Sequence, residues 1–475
     1  MESNRNNKLA KNTIIILFSK VLTQLSSLLI LPFLTSFLTT KEYGTFDLIN
    51  NYAWLLVPYI SLEIENGIFR FLIDKRKDTN NNSIKSLLST GVLVILKQIL
   101  FSFIVFVVVF LIFHRISIFY VYIYAVFSAI LNLFLFIARG LGKNEDYAVA
   151  SIIAGLLNIC IAVITIYFFK LGILGLVISG VLSCCIASLY LFIKLHLYTF
   201  LSIKSFDNDE KKKLVKYSIP LVPNATCSWL TSVSDRTMLT ILSGASANGI
   251  YSAATKFSTL ITHLIGVFNL SWSEAASESE KDTDRDVFFS RTIDSIFFLC
   301  FSVCLMMTAV MPIVFKFFIN ERYNDSFNYV PFLMIGSLFE IFSTLLGSIY
   351  ISLKKSKNIA ASTLIAALVN ILINILFMKK YGIIVACIST IISFMFLSIY
   401  RYIDIRKIVK LDINFKKYIL CFATFFVIAF LYRQNDIYTL SLSILIAGSF
   451  SIYINKAIII AIISKTKRMF FKIKN

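Results

Sequence analysis

The sequence is poorly furnished for metal or redox chemistry. Only three imidazoles occur in 475 residues: His114, His196 and His263. The cysteines (Cys160, Cys184, Cys185, Cys227, Cys300, Cys304, Cys387 and Cys421) are scattered through apolar segments without a CxxC pair, which predicts buried free thiols, no metal site and no cofactor. No phosphate-binding loop of the GxxxxGK(S/T) form is present, and Gly140-Leu141-Gly142-Lys143 reads as a short turn, so the chain does not hydrolyse nucleotides by itself. Charge is also scarce, at 15% of residues against 58% hydrophobic, with a mean hydropathy of +0.80. That balance excludes a soluble globular domain of this size. Apolar runs of about 20 residues recur along the whole length, the mark of an all-α polytopic membrane protein.

Charged punctuation divides the chain into fourteen predicted transmembrane helices. They lie near 14–38, 46–72, 86–113, 117–138, 147–169, 173–196, 217–243, 248–273, 291–318, 328–352, 359–378, 382–400, 415–432 and 437–463. The basic N-terminus precedes an apolar run too long for a signal-peptide core, so it reads as an uncleaved first span. Lysine and arginine fall on alternate loops in a ratio of roughly four to one, with segments such as 75–85, 204–216 and 401–417 on the rich side. This bias makes both termini cytoplasmic. It also accounts for the net charge of +20 without nucleic acid as a partner. No outer loop is long enough to hold a catalytic domain, so no catalytic residue is assigned.

An internal repeat organises the helices. Residues 34–46 (LTSFLTTKEYGTF) align with 239–251 (LTILSGASANGIY) at an offset of 205, which superposes Gly44 on Gly249. A second match at a similar offset sets LLNI at 156–159 against LVNI at 368–371. Six helices separate the copies, so both have the same orientation, as in parallel repeats with a substrate site between two lobes. The expected division is a six-helix lobe over 1–205, a second over 206–410, and an additional helix pair with a basic tail over 411–475.

Charged side chains at membrane depth are expensive, by about 2.5–3.5 kcal/mol each on insertion scales, so they normally face a partner or a polar cavity. Lys20 lies on a polar stripe of the first helix. Asp47 and Asn51 form the outer part of a stripe on the second, whose inner part carries Glu63 and Arg70. Trp229, Asp235 and Arg236 lie on the seventh helix, Lys256 and His263 on the eighth and Glu340 on the tenth. Several roles stay open at this point. Glu63 and Arg70 read equally as an ion pair or as cavity residues. His263 reads as a packing residue or a proton carrier. Glu340 reads as protonated, as paired with Arg236 or Lys256, or as part of ion coupling. Asp235 and Arg236 either tie the seventh helix to its neighbours or handle substrate.

The seventh helix resembles a known pattern. Tyr217-Ser218-Ile219-Pro220-Leu221-Val222-Pro223, then Trp229, then Ser234-Asp235-Arg236 is similar to that of bacterial polysaccharide repeat-unit flippases, the Wzx-type O-antigen and capsule exporters. Gly249-Ile250-Tyr251 with Lys256, and Leu31-Pro32 with Glu42-Tyr43-Gly44, resemble the same family's other motifs. The resemblance covers residues 8–410 and also reaches the wider superfamily of multidrug exporters and peptidoglycan-precursor flippases, which supply the alternative functions. It implies a two-lobe transporter in the bacterial cytoplasmic membrane. Its cargo would be a polyprenyl-diphosphate-linked oligosaccharide for O-antigen, capsule or lipopolysaccharide assembly, moved to the outer leaflet by alternating access. Arg236, Lys256 and Lys20 would accompany the diphosphate, with Asp235, Asn51, Asp47, Arg70 and Trp229 completing the substrate site. Glu340, His263 and Glu63 would be candidates for ion coupling. Implied partners are the lipid-linked oligosaccharide, membrane lipids, a proton or sodium ion (H+ or Na+) and a polysaccharide polymerase. Fourteen helices depart from that family's commonest twelve.

Overall fold

A computed structural model describes residues 28–75, 81–353, 355–434, 436–456 and 459–460. These residues form helices and connecting turns and contain no strand. Ten of the helices are long and apolar enough to cross a membrane, which makes the protein multi-pass. Three further helices of 22, 23 and 34 residues fall outside that set, namely Thr40–Ser61 (α2), Leu221–Ser243 (α10) and Ala245–Glu278 (α11). These are the helices in which polar residues interrupt the apolar run. Most of the first predicted helix, including Lys20, lies outside the described residues; its last turns form α1 (Leu31–Phe37), with Pro32 near the N-terminus.

The chain separates into two compact units. The first takes the chain to Thr240 together with Gly244–Gly249, and the second takes Ile241–Ser243 and Ile250 onward. In the first unit α2 begins at a capping box. Glu42 N donates to Thr39 Oγ1, and Thr39 N donates to Glu42 Oε2, at 3.2 and 2.9 Å. Next come α3 (Ile64–Lys75), α4 (Asn81–Phe113), α5 (Ile116–Gly140), α6 (Asn144–Val163) and α7 (Gly172–Lys194). Short α8 (Leu197–Phe200) and polar α9 (Asn208–Ser218) lead into α10. One end of this unit has an apolar core in which Ile64, Ile68 and Leu72 of α3 meet Leu87, Leu88, Ile137, Leu191 and Leu214. Lys75 Nζ reaches Glu210 at 3.2 Å, fixing α9 to α3.

One predicted helix is two. The sequence suggests a continuous span over 46–72, kinked at Pro58. Pro58 instead stays inside α2, and the break falls at Leu62 and Glu63, both left-handed with φ of 52° and 56°. Non-glycine residues reach that region at a cost of about 1–2 kcal/mol each. Local hydrogen bonds offset it. Glu63 N donates to Ser61 Oγ at 3.2 Å, Ser61 Oγ donates to Glu65 Oε1 at 3.0 Å, and Gln98 Nε2 donates to the Tyr59 carbonyl at 3.2 Å.

The second unit continues with α12 (Arg285–Phe318), α13 (Val330–Ser352), α14 (Ser356–Tyr381), α15 (Ile383–Arg406), α16 (Phe415–Gln434) and α17 (Ile437–Ile454). Polar bonds seat the last two helices on α12 and the turn before α13. Tyr418 Oη donates to Asp294 Oδ1 at 2.9 Å, Asn455 Nδ2 to Ser302 Oγ at 2.7 Å, and Tyr432 Oη to the Phe327 carbonyl at 2.8 Å. Arg401, expected in the charged segment after the twelfth helix, lies within α15 and is 5% exposed. Its guanidinium donates to Ser343 O, Ser362 Oγ and Thr363 Oγ1 at 2.8, 3.1 and 2.7 Å, knitting α13, α14 and α15. The cysteines also differ from expectation in part. Five of the eight are buried, whereas Cys160, Cys185 and Cys227 are exposed on their helices.

Candidate functional site

In the first unit α2 and α10 run antiparallel and are joined by a ladder of polar contacts. Arg236 Nη1 donates to Asp47 Oδ1 at 2.5 Å, and both side chains are largely buried, 16% and 7% exposed. Asp47 Oδ2 accepts from Asn51 Nδ2 at 3.1 Å and from Asn248 Nδ2 at 3.3 Å. Trp229 Nε1 donates to the Asn51 carbonyl at 2.7 Å. Farther along, Tyr52 Oη donates to Thr237 Oγ1 at 3.3 Å, and Tyr59 Oη lies 2.9 Å from Thr226 Oγ1. The Tyr52 and Trp229 rings are 5.6 Å apart. Helical spacing explains the ladder. Asp47 and Asn51 are four apart, and Trp229 and Arg236 seven apart, so each pair shares a face of its helix.

The first turn of α11 completes this arrangement. Thr40 Oγ1 and Ser246 Oγ are 2.5 Å apart, and Asn248 Nδ2 donates to the Gly44 carbonyl at 2.9 Å. A Cβ on Gly44 would collide with the Ala245 carbonyl, and one on Gly249 with the Thr40 carbonyl. Glycine is required at both positions because backbone meets backbone there.

The predicted residues thus fall into groups. The structure brings together Asp47, Asn51, Trp229 and Arg236. Asp235, beside Arg236 on α10, is part-buried. Glu63 and Arg70 do not pair, contrary to one expectation. Asn66 Nδ2 donates to Glu63 Oε2, and Arg70 binds Asp74 at 2.8 Å, one turn along the exposed face of α3. Lys256, His263 and Glu340 belong to the second unit. There Lys256 is part-buried, His263 is exposed, and the Glu340 carbonyl accepts from Ser343 Oγ and Thr344 Oγ1, each at 2.8 Å. Asn248, Tyr52, Thr226 and Thr237 were not anticipated. Asn248 had a visible signal, a carboxamide one residue before the repeat glycine.

Chemically, the arrangement holds a largely buried guanidinium against a carboxylate whose other oxygen takes two amide donors. The carboxylate holds the guanidinium in one orientation. Arginine presents a planar fork of donors suited to phosphate and carboxylate oxygens. Among the described residues no group of three or more His, Cys, Asp or Glu is placed to hold a metal ion.

Several solved structures share the fold at low identity. The inward closed form of the lipid II flippase MurJ matches with a TM-score of 0.68 and 14% identity, over 96% of this chain and 100% of that one. An inward-facing multidrug resistance MATE family transporter of the MOP superfamily matches at 0.67 and 14%, over 82% and 96%. A MOP superfamily transporter from Pyrococcus furiosus, described as having a binding pocket of reversed polarity, matches at 0.57 and 14%, over 83% and 94%. No curated protein matches the chain in sequence. The model of one family, described as polysaccharide biosynthesis protein, matches residues 9–273, more than half of the chain and all of α2 and α10, and the chain belongs to that family.

Proposed function

We propose that this protein flips a polyprenyl-diphosphate-linked oligosaccharide, such as an O-antigen or capsule repeat unit, from the cytoplasmic to the outer leaflet of the bacterial cytoplasmic membrane. The observation that carries the reading is Arg236, held largely buried by Asp47 on helices matched by the polysaccharide family model. A diphosphate does not cross hydrocarbon unaided, because an unpaired ion in a low-dielectric medium is very unfavourable. A guanidinium already oriented at membrane depth offers it a counter-ion, and the part-buried Lys256 supplies a second cation in the other unit. Lys20, outside the described residues, is proposed as a third.

The proposed architecture is two six-helix lobes over 1–205 and 206–410, with a further pair over 411–475 and both termini cytoplasmic. The reciprocal contact of Gly44 with Ala245 and Gly249 with Thr40 supports the duplication, since each pair maps onto the other at the offset of 205. Glu340, His263 and Glu63 are the proposed candidates for coupling to a proton or sodium gradient, and a polysaccharide polymerase is the proposed downstream partner.

Deleting the gene tests the function. Lipid-linked oligosaccharide should accumulate on the inner leaflet while surface polysaccharide disappears. Drug hypersensitivity with intact surface glycan would favour a multidrug exporter, and loss of viability without any such glycan would favour a peptidoglycan-precursor flippase.

A further inference from the structure

A second feature of the first unit stands apart from the Asp47–Arg236 ladder. A cavity of about 700 Å³ lies between α2, α4 and α5. Aliphatic and aromatic side chains form most of its wall, among them Tyr52, Tyr59, Phe101, Phe106 and Tyr122. The Phe106 and Tyr122 rings stack at 4.4 Å, and Tyr122 Oη is engaged by the Ile99 carbonyl and Ser102 Oγ, each at 3.2 Å. Arg115, Ser117 and Thr45 line one end, and farther along α4 the lining residues Gln98 and Ser102 donate to the Tyr59 and Ile99 carbonyls at 3.2 and 2.9 Å. Arg115 is exposed at the corner between α4 and α5, and among the described residues it forms no ion pair with a carboxylate.

Two properties select the occupant. On the proposed topology Arg115 sits on the outer side, where cations are scarce, and a guanidinium at the mouth of an apolar groove is complementary to a lipid phosphate. Along α2 the lining runs from Thr45 to Leu62, about 25 Å of helix at 1.5 Å per residue. Half of a hydrocarbon core about 30 Å thick is only about 15 Å, so the groove runs past the depth to which one leaflet's acyl chains extend. An isoprenoid chain longer than a leaflet fits that length.

We propose that this groove docks the isoprenoid chain of the carrier lipid, with Arg115 holding its phosphate at the outer surface. The proposal rests on the flippase reading and deepens it. Tyr52 and Tyr59 line the groove with one side and bond to α10 with their hydroxyls. The carrier chain would therefore lie directly behind the wall that bears Arg236, and the diphosphate would pass to Arg115 when the cargo reaches the outer leaflet.

The test uses the full chain in nanodiscs and a photoactivatable long-chain polyprenyl monophosphate. Labelling should map to residues 98–122 and be displaced by unlabelled polyprenyl phosphate but not by phosphatidylglycerol. It should fall about tenfold in Val105→Trp, which fills the groove, and in Arg115→Ala, which removes the phosphate partner. Ile104→Trp, on the neighbouring exposed face outside the groove, should label as the parent does. Equal displacement by phosphatidylglycerol, or full labelling of Val105→Trp, overturns the proposal. Surface glycan measured in the deletion strain separates the two readings. Loss of glycan without groove labelling rejects the groove and keeps the flippase, whereas groove labelling without loss of glycan rejects the flippase and leaves a lipid site.

Discussion

Gly44 and Gly249, aligned by the 205-residue sequence offset, meet backbone to backbone where α2 crosses the first turn of α11. The contact is reciprocal: Gly44 faces Ala245, and Gly249 faces Thr40. A Cβ at either position strikes a carbonyl oxygen rather than a flexible side chain, so the helices must move apart. Overpacking of this kind costs about 1–3 kcal/mol. Gly44→Ala and Gly249→Ala should each lower the melting temperature of the purified protein, and the double variant should lose less than the sum, because the first separation relieves the second. Additive losses would show that the two sites are independent.

The Asp47–Arg236 pair predicts an asymmetric mutational pattern. Removing one partner of a buried pair leaves an uncompensated charge and costs about 3–5 kcal/mol, whereas removing both leaves none. Asp47→Asn and Arg236→Gln should therefore each destabilise the protein more than expected from their small change in volume, and the double variant should regain part of the loss. Transport separates from stability in the same series. Arg236→Ala should abolish surface polysaccharide even where the protein is inserted at normal levels, and the stability-restored double variant should remain inactive. Normal glycan display by a well-inserted Arg236→Ala protein removes Arg236 from the mechanism.

How much of this was legible beforehand depends on the range of the interaction. Helix positions follow from apolar runs and charged punctuation, and the polar faces of α2 and α10 follow from spacing within each helix. That the two faces meet does not follow, because Asp47 and Arg236 are 189 residues apart. The break at Leu62–Glu63 was illegible for a different reason. Residues that disfavour left-handed backbone adopt it there, and the support comes from side chains such as Ser61 and Gln98 rather than from a glycine. A cationic run at a helix end reads as a solvated boundary, and only packing reveals that Arg401, one member of the run, turns inward among α13, α14 and α15.

Ser61 carries a prediction about that break. Its hydroxyl accepts from Glu63 N and donates to Glu65 Oε1, joining the last turn of α2 to the first of α3. Glu65 is 3% exposed, so its carboxylate depends on such donors. Ser61→Ala should cost about 1–3 kcal/mol, the price of a buried polar group left unsatisfied. Ser61→Thr, which keeps the hydroxyl, should retain most of the stability. Hydrogen exchange at residues 62–66 gives a local readout: protection should fall in the alanine variant and persist in the threonine one.

Arg401 offers the most direct test of how the second unit is held together. Its fork spans three helices through Ser343 O, Ser362 Oγ and Thr363 Oγ1, with Gly347 making room beside Nη1. No carboxylate pairs with it among the described residues, so neutral oxygens alone compensate a buried cation. Lysine brings the same charge without the planar fork and cannot reach all three helices at once. Arg401→Lys should therefore lower thermal stability substantially despite conserving charge. Arg401→Met, which removes the charge and fills much of the same volume, should be tolerated better. A lysine variant as stable as the parent would mean that charge, rather than the three-helix fork, is what this position supplies.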